Sequence, residues 1–135
     1  MKARYLGMMI VALIACKEPV QEPVVQNNGL IGKWKLTETF SDPGDGSGKW
    51  MKVKEAFVLD IKTDSTVIVV GKPIFLTASS TYVLRKISQD KLWFYSPKSA
   101  SGPDSRYIGY KVTATDLELA YPCDEGCVER FKAIK

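Results

Sequence analysis

Three cysteines, Cys16, Cys123 and Cys127, carry the most reactive side chains of this 135-residue sequence, and it contains no histidine. Without an imidazole, a Ser/His/Asp or Cys/His triad, a His-ligated zinc and a histidine acid/base are each excluded. A catalytic site would have to use carboxylates, lysine or tyrosine, and no paired-carboxylate arrangement stands out. The chain is therefore expected not to be an enzyme, and no cofactor or metal is expected.

Cys16 ends a segment with a distinct character. Met-Lys-Ala-Arg is followed by an apolar run from Tyr5 to Ala15 interrupted only by Gly7, the n-region and h-region of a secretory signal. The run is too short for a stable bilayer span. Its close, Leu13-Ile14-Ala15-Cys16, resembles the bacterial lipobox, in which a signal peptidase cleaves before a cysteine whose thiolate has accepted a diacylglyceryl group. The resemblance implies a lipoprotein signal at 1–15 and a lipid anchor on Cys16. Two or three acyl chains hold a protein on a bilayer where one would be marginal.

Segment 17–28, KEPVQEPVVQNN, has two prolines and no periodicity, and reads with Cys16 as a tether. Lys17 and Glu18 follow the cysteine where aspartate would signal inner-membrane retention, which points to a cell-envelope lipoprotein of the outer membrane, on its periplasmic face or at the surface. Once Cys16 is assigned to lipid, Cys123 and Cys127 remain as a pair in an oxidising compartment. Gly126 in CDEGC can supply the positive φ of a tight turn, so the two sulfurs can meet as a disulfide. The alternative, a redox or metal pair, needs a nearby base or further ligands, and neither is evident.

The elements that must position these groups are strands. From residue 30 onward, short β-branched and aromatic runs alternate with turn residues, and no ten-residue stretch has clean helical periodicity. Eight strands are expected, at about 32–40, 50–62, 66–72, 80–87, 91–96, 106–113, 117–122 and 127–134. Mostly hairpin-length connections make neighbours antiparallel. The expected fold is all-β, an eight-stranded up-and-down antiparallel meander over 29–135 that closes into a barrel and so disposes of its edges. A β-sandwich, which would want a long crossover, is the alternative.

Alternation then assigns faces. Trp34, Leu36, Glu38 and Phe40 share one face of the first strand, and Phe57, Leu59 and Ile61 one face of the second. Tyr82 and Leu84; Ile108, Tyr110 and Val112; and Leu117, Leu119 and Tyr121 continue that inner face. Strands 66–72 and 91–96 are apolar on both sides, so parity leaves them undecided. In the last strand Arg130 groups with Val128 and Lys132, while Phe131 competes for the interior.

Gly32-Lys33-Trp34 at the start of such a meander resembles the Gly-x-Trp signature of lipocalins. Together, LIGKWKLTETFSDPGDGSGKW and PCDEGCVERFK resemble small lipocalin-like lipoproteins of Gram-negative bacteria. That resemblance implies a calycin-type barrel open at one end. It also implies a floor closed by Gly32 and Trp34, with Arg130 packed over the indole as a cation–π partner.

A barrel of eight strands is just wide enough to be filled by its own side chains or to hold one small ligand. The first expectation is a binding module for a small hydrophobic molecule, lined by Phe57, Leu59, Tyr82, Leu84, Ile108, Tyr110 and Leu119, with tyrosine hydroxyls orienting its polar end. Glu38 would join it as an anchor at the mouth, as a partner of Arg85, Arg106 or Arg130, or as a strand end in solvent. The alternative is a filled barrel that contacts another envelope protein through rim loops 41–49 and 97–105, in an interaction or inhibitor role. Trp50, Trp93 and Tyr95 are candidates for an exposed aromatic patch. Loop DPGDGSG at 42–48 lacks EF-hand spacing, having Gly44, Gly46 and Val53 where ligands would stand. Discounting Lys2 and Arg4, the net charge falls from +4 to +2, so no nucleic-acid partner is expected.

Overall fold

The computed structural model describes residues 27–71, 76, 80–96, 104–124 and 126–135. The signal segment, Cys16 and the tether up to residue 26 lie outside the described residues. Nine strands are present: β1 (Gly32–Ser41), β2 (Lys49–Lys52), β3 (Val58–Ile61), β4 (Thr66–Val70), β5 (Thr81–Lys86), β6 (Lys91–Ser96), β7 (Asp104–Val112), β8 (Asp116–Tyr121) and β9 (Cys127–Ile134). From β3 onward each pairs antiparallel with the next, and β9 returns to pair with β1. The sheet is thus a closed up-and-down antiparallel barrel.

It has eight strand positions because β2 and β3 share one. β3 pairs with the first half of β1, from Gly32 to Lys35, and β2 with the second half, from Glu38 to Ser41. The single strand expected over 50–62 is broken by Lys54, Glu55 and Ala56, all exposed, which leave the sheet between two backbone bonds, Val53 N–H to Thr37 C=O and Phe57 C=O from Leu36 N–H. Charged residues and alanine fit a pleated, half-buried surface poorly. Among the described residues β2 pairs only with β1, and its residues are all exposed. Lys49 and Lys52 at its ends discourage another chain from adding to that edge.

β1 carries a second irregularity. Its register with β9 shifts between Leu36 and Glu38, a bulge that reverses the side-chain parity of the strand's second half. Thr39 is buried as a result, and Glu38 does not lie on the Trp34 face as alternation alone predicts.

The short turns after β3, β5 and β7 sit at one end of the barrel, together with the entry segment. The longer connections after β1, β4, β6 and β8 leave from the other. Asp42 steadies the first of these by accepting the amides of Gly44 and Gly46, and Asp45 accepts that of Ser47. These local bonds account for both carboxylates of the loop. The last hairpin is closed by the disulfide Cys123–Cys127, with Cα atoms 6.0 Å apart and Gly126 at φ 63°. Replacing both cysteines by serine is expected to cost about 2 kcal/mol, the chain-entropy value for so short a loop. Urea unfolding with and without the bridge measures it, and an unchanged midpoint would refute that contribution.

Candidate functional site

The short-turn end is sealed by the entry segment. Asn27 donates its backbone N–H to Ala114 C=O at 2.7 Å and its side-chain amide to Lys33 C=O at 3.0 Å. Trp34 is fully buried and donates its indole N–H to Leu30 C=O at 2.8 Å. Gly32 is required between them: its φ is +134°, and a Cβ there would lie 2.3 Å from the Asn27 carboxamide. Gly32 and Trp34 therefore close the short-turn end together with the entry segment.

Arg130 does not belong to that floor. β9 buries Glu129 and Phe131, so Arg130 faces outward, 3.6 Å from the centroid of Trp50, not of Trp34. It pairs there with Glu118 at 3.1 Å and with Glu38 at 3.6 Å. Register explains both corrections, because Glu38, Arg130 and Glu118 are direct cross-strand neighbours on the outside of the barrel. Glu38 is an ion-pair partner on the outer flank rather than an anchor in the lumen, and Trp50 packs against Phe40 beside it with the rings tilted.

The structure brings the seven expected lining residues together in one cluster with Trp34, Phe94 and Phe131. None of the seven is more than 7% exposed, and Leu59, Ile108 and Leu119 are at 0%. A water-sized sphere barely reaches those three, so side chains close the lumen around them. Clefts open elsewhere on the barrel. One of about 230 Å³ lies where Gly109 faces Ala120, and one of about 220 Å³ reaches from Thr113 to Phe131. Both are smaller than the sites that usually enclose drug-sized molecules.

Above the apolar layers the interior becomes polar. Among the described residues Thr39, Ser96 and Glu129 are the buried polar ones, contributed by the halves of β1, β6 and β9 nearer the long connections. Tyr121 of β8 donates its hydroxyl to Glu129 Oε2 at 2.7 Å. Tyr82, also buried, and half-buried Arg106 complete this layer. Burial drives the Tyr121 phenol well above its ordinary range, and the adjacent Glu129 carboxylate adds to the shift, while the Arg106 charge opposes it. The neutral hydroxyl is thereby kept as a donor to the carboxylate.

Glu129 was not among the residues singled out from sequence. Its signal was present: Phe131 inside requires Glu129 inside, two residues earlier on the same face.

Fold and site together define an all-β barrel with an indole-sealed floor, a packed apolar middle and a polar layer beneath the ends that carry its long connections. Compared with protein-family models, curated proteins and solved structures, the chain matches none.

Proposed function

We propose that the chain is a membrane-tethered, lipocalin-like binding module without catalytic chemistry, held on the cell envelope through Cys16 and acting through protein contacts of its rim loops. The observation that carries this choice is the packing of the lumen: the residues that would hold a small hydrophobic ligand already fill one another's space. A deep apolar pocket would need several hundred cubic ångströms free at that level. The loop-bearing end supplies a rigid platform instead, since loops on a closed sheet are the variable, contact-making parts of such folds. Loop 41–49 projects there; most of 97–105 lies outside the described residues.

Native mass spectrometry of the domain purified from its own host tests the filled-lumen reading. The expected mass is that of the chain alone. A reproducible co-purified small molecule, lost on Tyr110→Trp, would overturn it in favour of the hydrophobic-ligand module. For the tether, labelled palmitate is expected in the wild-type chain and absent from Cys16→Ser; label retained in the variant would refute the assignment.

A further inference from the structure

The outside of the barrel has two unlike halves. On β3, β8, β9 and β1 most outward positions are polar, and ion pairs join Lys62 with Asp60, Lys132 with Asp116, Arg130 with Glu38 and Glu118, and Lys111 of β7 with Glu118, while Lys33 and Lys35 of β1 stand exposed without one among the described residues. On β4–β7 the outward positions hold Ile68, Val70, Val83, Trp93, Tyr95 and Tyr107. Val70 is 56% exposed and Tyr107 61%. Cross-strand register joins the residues of β5–β7 into one band, since Val83 pairs with Tyr95 and Trp93 with Tyr107, and Ile68 and Val70 continue the apolar surface on β4. Trp93 stacks on Tyr95 with centroids 5.2 Å apart and planes 20° from parallel, and Arg85 lies 5.4 Å from the indole centroid. Among the described residues no carboxylate lies within ion-pair distance of Arg85 or Lys91, which flank the band.

We infer that this β4–β7 flank is a docking surface for an anionic lipid bilayer, so that the barrel lies on its side against the membrane that carries its anchor. The inference rests on the tether reading above. Three features select a bilayer. Two cations outside close ion pairs, Arg85 and Lys91, beside apolar residues match anionic headgroups over an acyl boundary. Tyrosine and tryptophan favour the membrane interface, where one end of the ring is wet and the other apolar. The flank of a barrel is convex, and it buries a large area only against a partner that yields. Reach is also sufficient. Ten residues separate Cys16 from Asn27, at most about 35 Å when extended, and Asn27 is fixed at the β7–β8 turn, two strand positions from the band's centre.

The test uses the chain from residue 16 carrying Cys16→Ser, which removes the lipid and leaves the barrel whole, with flotation on vesicles of phosphatidylethanolamine and phosphatidylglycerol. Measurable binding is expected, lost on phosphatidylcholine vesicles and at high salt. Arg85→Gln and Lys91→Gln should each weaken it about fivefold, the equivalent of about 1 kcal/mol per basic residue at an anionic surface. Tyr107→Ser should weaken it several-fold, whereas Lys62→Gln, at a lysine paired with Asp60 outside the band, should leave it unchanged. Circular dichroism melts verify that each variant is folded. Three results would overturn the proposal: equal binding by all variants, binding to a soluble acidic polysaccharide but not to vesicles, or dimerisation abolished by Tyr107→Ser. None of these touches the palmitate result, so failure of the flank and failure of the tether are separable.

Discussion

Trp34→Ala is expected to bring the domain to the edge of unfolding at 25 °C. The indole is fully buried at the floor, in one cluster with the other large apolar residues, and its N–H holds the entry segment through Leu30 C=O. Truncating a buried tryptophan costs about 3–5 kcal/mol through lost transfer energy and the cavity left behind. Losing the bond to Leu30 also leaves a carbonyl without its donor, at about 1 kcal/mol. Domains of this size have about 5–15 kcal/mol in total, so the variant retains little margin. Far-UV circular dichroism in urea is the measurement of choice, because tryptophan fluorescence would lose its fully buried emitter and keep only Trp50 and Trp93. Trp34→Phe keeps most of the volume and should lose markedly less. A loss below about 1 kcal/mol for the alanine variant would mean that the floor closes without the indole.

The parts of this barrel legible in the sequence are those where one face of a strand is apolar and the other polar. Phe57, Leu59 and Ile61 against Asp60 and Lys62, or Leu117, Leu119 and Tyr121 against Glu118, declare their inside by alternation, and each points inward. β4 and β6 do not declare it, since Val67 and Ile68, or Phe94 and Trp93, are equally good on either face. Their assignment comes from register: Leu92 and Phe94 turn inward because they pair with Ile108 and Leu84 on neighbours already fixed. The misjudged features share a cause in the pairing of β1 with two neighbours at once. The bulge after Leu36 and the excursion at Lys54–Ala56 face the same stretch of β1, and neither alters the local residue pattern enough to be seen. A thirteen-residue strand was itself a warning, since strands usually run about five or six residues. Once β1 shifts by one residue, Glu38 moves out to Arg130, which β9's own alternation had already turned outward by burying Glu129 and Phe131.

Tyr121→Phe is expected to lower stability at neutral pH by about 1.5–3 kcal/mol, the range for a hydrogen bond to a charged group. Its removal takes a 2.7 Å donor from a fully buried carboxylate, and the ring that remains cannot replace it. The same change should also reshape the alkaline limb of the stability profile. In the unfolded chain a tyrosine releases its proton near 10.0, whereas burial and the Glu129 carboxylate hold the Tyr121 phenol protonated to higher pH. Above that value the unfolded state therefore binds fewer protons than the folded one, and stability falls as pH rises. The contribution is complete below pH 10 and drains away above it. Phenylalanine has nothing to titrate, so the stability difference between wild type and variant should be constant through the neutral range and shrink progressively above about pH 10. Urea midpoints from pH 7 to 11 supply the comparison, with the other tyrosines and the lysines cancelling between the two proteins. A difference that held constant to the top of that range would show that the phenol ionises alike in both states, and that the polar layer beneath the loops is wet rather than sealed.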